Sequence, residues 1–156
     1  MKIEGICAVP CRSRNGVYYP ANELAQLDGS RVPIMYSHIG SPYDKGVKIA
    51  DVLTVGSAET YWKKEEQELW YEGKIKEQYS TLLYRMPNLR VSIGAHYTEL
   101  RAVPKVATKI ILEEISLTTT PAITAVTLKI VESFSRPRLD WASQMKLEQA
   151  MKRAMI

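Results

Sequence analysis

Alternation of apolar and polar residues constrains the fold of this chain more than any other feature. In Leu69–Ile75 the residues Leu69, Tyr71, Gly73 and Ile75 fall on one side. Trp70, Glu72 and Lys74, continued by Lys76, fall on the other. A period of two is the signature of a strand with one face in a core. Further strand-like runs occupy residues 3–11, Val17-Tyr18-Tyr19, Val32–Ser37, Val47–Val55, Leu89–Tyr97, Lys109–Thr119 and Ala125–Val131. The charged stretch Tyr61–Glu68 reads as a solvated hairpin end, and Asn15-Gly16 as a tight turn.

Helical patterns are few. Ala21–Leu27 follows Pro20 and stops at Asp28-Gly29, a proline-in, glycine-out arrangement. Glu77–Met86 places Tyr79, Leu82, Leu83 and Met86 at helical spacing and ends before Pro87. The last, Trp141–Ile156, carries Met145, Leu147, Met151, Ala154 and Met155 along one rough side. Many strands, short turns and few helices predict an α+β chain. Its main body is a mainly antiparallel β barrel with short peripheral helices, rather than a parallel α/β sheet. Residues 1–132 form the barrel domain, and residues 133–156 a Ser/Pro-containing linker followed by the C-terminal helix.

Composition narrows the function classes. The net charge is +4 and the pI about 9.0. The basic residues are dispersed, with local enrichment at Arg136, Arg138, Lys146, Lys152 and Arg153, and no recognition motif accompanies them, so nucleic acid is not the expected partner. No run approaches the roughly 20 apolar residues that span a bilayer. Met1-Lys2-Ile3-Glu4 does not open like a signal peptide, and a soluble intracellular protein is expected. Cys7 and Cys11 on one straight strand would lie about 13 Å apart, too far to bond. With His38 and His96 they make a zinc set by composition, but the spacing fits no compact module. No metal or cofactor is expected.

Among the polar residues, three sit in or beside strands where chemistry is feasible. Ser92 shares a strand face with Gly94 and His96, and Gly94 would let a substrate or another backbone approach closely. His38 ends an apolar strand and enters a Gly/Ser/Pro-rich loop, reachable yet held. Alternation in Lys109–Thr119 puts Glu114 with Leu112 and Ser116, and Glu113 with Ile111, Ile115 and Leu117. An acid in so apolar a strand must be paired or solvated. A serine, a histidine as general base and an acid that orients it form the inventory of a nucleophilic hydrolase. Each also has a plainer reading, as a strand serine, a turn histidine or a solvated exterior charge. His96, four residues along Ser92's own strand, and Glu113 remain alternatives for the third position.

Taken in order, these segments resemble the prohead proteases of tailed bacteriophages, serine peptidases related in fold to the herpesvirus assemblins. The resemblance rests on Glu4-Gly5-Ile6 in the first strand, VPIMYSH ending in His38, and VSIGA around Ser92. EISLTTTPA, running from Glu114 into Pro121 and Ala122, completes it, and NGVYYP resembles the turn of part of the group. The match spans residues 3 to about 131. It implies Ser92 as nucleophile, His38 as base and Glu114 as third member, where assemblins carry a histidine. It further implies an oxyanion hole from backbone N–H groups near Thr119, Thr120 and Ala122. His96 stands where the family more often has an aromatic residue, so a Ser-His-His arrangement stays open.

The implied substrates are the scaffolding protein or a scaffold segment of the major capsid protein, and the enzyme itself. The implied place is the assembling prohead in the host cytoplasm, with self-cleavage in the linker 132–140 and the terminal helix as a scaffold tether. Assemblins pair into dimers, which leaves homo-oligomerisation open here. The competing class is a catalytically inactive capsid-assembly or scaffold-binding module on the same barrel.

Overall fold

The computed structural model describes residues 1–36, 53–100, 105–132 and 141–154. The chain is mostly strand, arranged as one curled, open, mixed sheet resembling half a barrel, with a few short helices. Strands β1 (Lys2–Ala8), β2 (Cys11–Arg12) and β3 (Val17–Tyr19) come first, followed by helix α1 (Ala21–Ala25) and β4 (Arg31–Tyr36). Next come β5 (Leu53–Lys63), β6 (Glu68–Ile75), a 3₁₀ turn at Glu77–Tyr79 and α2 (Ser80–Arg85). The long pair β7 (Arg90–Leu100) and β8 (Lys105–Thr118), then β9 (Lys129–Glu132) and α3 (Trp141–Ala154), complete the chain.

The sheet order is β2-β3-β8-β4-β5-β6-β1-β9, with β7 paired to the other edge of β8. The expectation of a mainly antiparallel barrel is thus met only as far as the α+β class. Both β3 and β4 run parallel to β8, and the sheet does not close. Local periodicity cannot announce such pairings, because they join residues far apart in sequence.

The central meander is the regular part. β5 and β6 form a hairpin in unbroken register from Gly56 opposite Ile75 to Lys63 opposite Glu68. The turn is shorter than expected: Tyr61, Trp62 and Lys63 belong to β5, and Gln67 takes a left-handed φ of 57°. Lys63 lies 3.5 Å over the Trp70 ring, an attraction that favours pairing over a frayed end. On β6, Leu69, Tyr71, Gly73 and Ile75 are buried as the alternation predicts. Its outer face carries a row of facing acids, Glu4, Glu72 and Glu59, across β1, β6 and β5.

Two predicted strands are cut short. The run 3–11 breaks after Ala8, because Pro10 has no N–H for a ladder, and Cys11 restarts as β2 beside Tyr19. Ala125–Val131 keeps strand form only from Lys129. Upstream of it, Thr127 is stapled across β1: its N–H donates to Ile6 O at 3.0 Å and its Oγ1 accepts from Ile6 N at 2.9 Å. Gly5 permits this crossing, since a Cβ there would run into the Thr127 carbonyl.

Ile3, Leu24, Ile34, Val55, Leu69, Tyr71, Val91, Ile115 and Leu117 form the fully buried core. Each contributes about 1.5–3 kcal/mol relative to exposure. Leu147 of α3 is buried in the same cluster, with Ala150 and Met151 packed against it. The terminal helix is therefore docked on the body through this side. Among the described residues no helix is long and apolar enough to cross a membrane.

Candidate active site

The site is built on β7 and β8. Ser92 faces Ser116 and Gly94 faces Glu114 across this antiparallel pair. On the far edge of β8, Met35 of β4 is in register with Ser116 and Tyr36 with Leu117. A cleft of about 270 Å³ opens here, lined by Ser92, Gly94, Glu114, Ser116, Thr118, Thr120 and Ala122, among others.

Glu114 is the most constrained polar group in it. It is 5% exposed, and the Ser116 hydroxyl donates to its Oε1 at 2.8 Å. Burial raises its pKa above the ordinary value; the Ser116 bond opposes that rise and the neighbouring Glu113 charge adds to it. Gly94 is what makes room. A Cβ on residue 94 would collide with the Glu114 side chain, lying 2.8 Å from Oε1. Ser92 is half-buried on the adjacent strand, reachable from the cleft.

The other candidates are placed as follows. His38 lies outside the described residues, as do the loop 40–46 and the linker 133–140. The sequence put Ser92, Gly94 and His96 on one face, but the register slips between Gly94 and Ala95, leaving Glu113 without a β7 partner. Beyond that bulge Ala95 and Tyr97 line the cleft and His96 does not. His96 is instead exposed, with Nε2 2.6 Å from Glu113 Oε1. The adjacent acids therefore serve different partners, Glu114 a buried serine and Glu113 a surface histidine.

Of the backbone donors proposed for an oxyanion hole, Thr120 and Ala122 line the cleft. The Thr120 N–H already donates to Thr118 Oγ1 at 3.1 Å. Thr119 lines a separate cavity with Pro87, Leu89 and Arg90.

Sequence reasoning read the turn between β2 and β3 but missed its place at the cleft. Arg14 and Asn15 line the cleft, because Arg14 N–H donates to Ala122 O at 2.9 Å. Asn15-Gly16 announces a turn, and Gly16 has a φ of 80°, but nothing local says which surface that turn meets. Tyr19 of β3 closes one end, edge-on to Tyr97 with centroids 5.8 Å apart. Cys7 and Cys11 are free. The Cys7 thiol is buried against Leu69 O, and burial pushes its pKa up to about 12.

No protein-family model, curated protein or solved structure matches this chain. The functional reading therefore rests on the residues of the cleft and the order of the segments that build it.

Proposed function

We propose that this chain is a serine endopeptidase of the prohead-maturation kind, on an assemblin-like half-barrel, with Ser92 as nucleophile, His38 as base and Glu114 as the acid. The observation that carries the reading is that Ser92 and a buried, serine-anchored carboxyl on the neighbouring strand line one polar cleft. A carboxyl kept from water in this way suits the stabilisation of an imidazolium that forms during reaction. β4, the last described strand before His38, runs beside β8 as far as Tyr36 opposite Leu117, and β8 is the strand that carries Glu114, which supports His38 as the base.

In this mechanism Ser92 Oγ attacks the scissile carbonyl while His38 takes its proton. The tetrahedral intermediate collapses as His38 returns that proton to the leaving amine, giving an acyl-enzyme. A water molecule, deprotonated by His38, then releases the acid and regenerates Ser92. Glu114 holds the imidazole in orientation and offsets its charge throughout. The substrates in this reading are scaffolding protein, a scaffold segment of the major capsid protein, and the linker 132–140 of the chain itself, inside the assembling prohead.

A fluorophosphonate reagent tests the reading without a known substrate, because Ser92 Oγ would displace fluoride from phosphorus and leave a covalent adduct. Intact-mass spectrometry is expected to show one adduct, mapped to Ser92 and absent from Ser92→Ala. A wild-type chain that takes no label, or a Ser92→Ala variant that still labels, overturns it in favour of an inactive assembly module.

A further inference from the structure

We infer that Ser116 and Gly94 are positioning residues that form a cradle for the Glu114 carboxyl, Ser116 pinning one oxygen by a hydrogen bond and Gly94 making room for the side chain in the cleft. The inference rests on the serine-endopeptidase reading and assigns these two residues a part in it. A glutamate has three side-chain torsions, so a buried carboxyl does not orient a base unless something fixes it. Here the Ser116 hydroxyl fixes it, donating to Oε1 at 2.8 Å from two residues along the same strand face. Glu114 and Ser116 are both buried, at 5% and 8% exposure, so water competes little for that bond.

Gly94 supplies the complementary half. It sits directly opposite Glu114 in the β7–β8 ladder, where cross-strand side chains normally crowd one another. With no side chain at 94, the Glu114 chain folds over the β7 backbone and brings its carboxyl beside Ser92's strand. Any other residue there would meet Oε1 within 2.8 Å. Glycine serves close approach at this point, since its φ is not in the left-handed region.

The cradle has an electrostatic consequence. Burial favours the neutral acid, and the Ser116 bond favours the carboxylate. Among the described residues, the other titratable or charged groups around the carboxyl are Glu113 next in the chain, Arg14 from the β2–β3 turn, Tyr19 of β3 and Tyr97 of β7. Removing the Ser116 donor shifts the balance towards the neutral acid. The ionised form then appears at higher pH.

The test follows fluorophosphonate labelling rate against pH, on the full chain, for wild type, Ser116→Ala, Ser116→Thr and Gly94→Ala. Ser116→Ala is expected to slow labelling about tenfold or more and to move the acid limb of the profile to higher pH. Ser116→Thr, which keeps the hydroxyl, restores the rate, and Gly94→Ala slows labelling and, by overpacking the buried Glu114 side chain, lowers the melting temperature. A Ser116→Ala profile superimposable on wild type overturns the cradle, and so does a Ser116→Thr variant as slow as Ser116→Ala. Those outcomes leave Ser92 labelling intact, whereas labelling that survives Ser92→Ala removes the peptidase reading itself.

Discussion

β6 and β8 are both interior strands of the same sheet, yet they treat polar residues in opposite ways. β6 sorts them, with Glu72 and Lys74 outside and Leu69, Tyr71 and Ile75 inside. β8 buries both of its faces near the C-terminal end: Ile115 and Leu117 on one, Glu114, Ser116 and Thr118 on the other. A strand that hides an acid and two hydroxyls has accepted a desolvation cost that β6 avoids. What β8 gains is a polar cleft with fixed groups in it. The difference separates a strand that sorts its residues between core and solvent from one that lines a buried polar cleft.

Substitutions on each strand sharpen that contrast. The largest expected effect is at the cleft: Ser92→Ala lowers fluorophosphonate labelling by about a thousandfold or more. Its unfolding free energy stays within about 0.5 kcal/mol of wild type. On β6, Tyr71→Ala should cost about 3–5 kcal/mol in urea unfolding, since it empties a fully buried site and removes the bond from Tyr71 Oη to Thr127 O at 3.0 Å.

Glu114→Gln gives a pH-dependent effect. The folded state binds this proton more tightly than the unfolded chain, so wild-type stability falls as pH rises from 4.5 through the raised folded value. The variant lacks that slope. Its melting temperature should exceed wild type near neutral pH, and the gap should close below pH 4.5. The smallest effect belongs to the outer face of β6. Glu72→Gln relieves the like charges facing it on Glu4 and Glu59, a gain of about 0.2–1 kcal/mol in the same unfolding assay.

What could be read from the sequence follows the range of the interactions involved. One-sided burial on β6, the α2 segment before Pro87 and the separation of Glu114 from Glu113 are all local periodicities, and the structure has each of them. The shared face of Glu114 and Ser116 is an alternation pattern, and the hydrogen bond between them realises it. The departure of His96 from Ser92's face was not legible, because one bulge at Gly94-Ala95 shifts the register without altering composition. Docking of the Arg14 turn on Ala122, and the parallel pairing of β3 and β4 with β8, depend on partners distant in sequence. The open edge of the half-barrel belongs to the same class.

That long-range pairing also governs when the cleft can come into being. β8 supplies the partner edge for β3, β4 and β7, so in a growing chain the early strands wait with hydrogen-bonding groups unsatisfied. Val17 cannot find Lys105, nor Tyr36 find Leu117, until nearly the whole sheet has been synthesised. The β5–β6 hairpin has no such delay, being closed by a short turn. Loop-closure entropy therefore sets a sequence in time, with the meander first and the cleft last. A nascent chain halted before Lys105 would hold the β4–β5–β6 meander but lack Glu114, Ser116 and the β7–β8 ladder that builds the cleft.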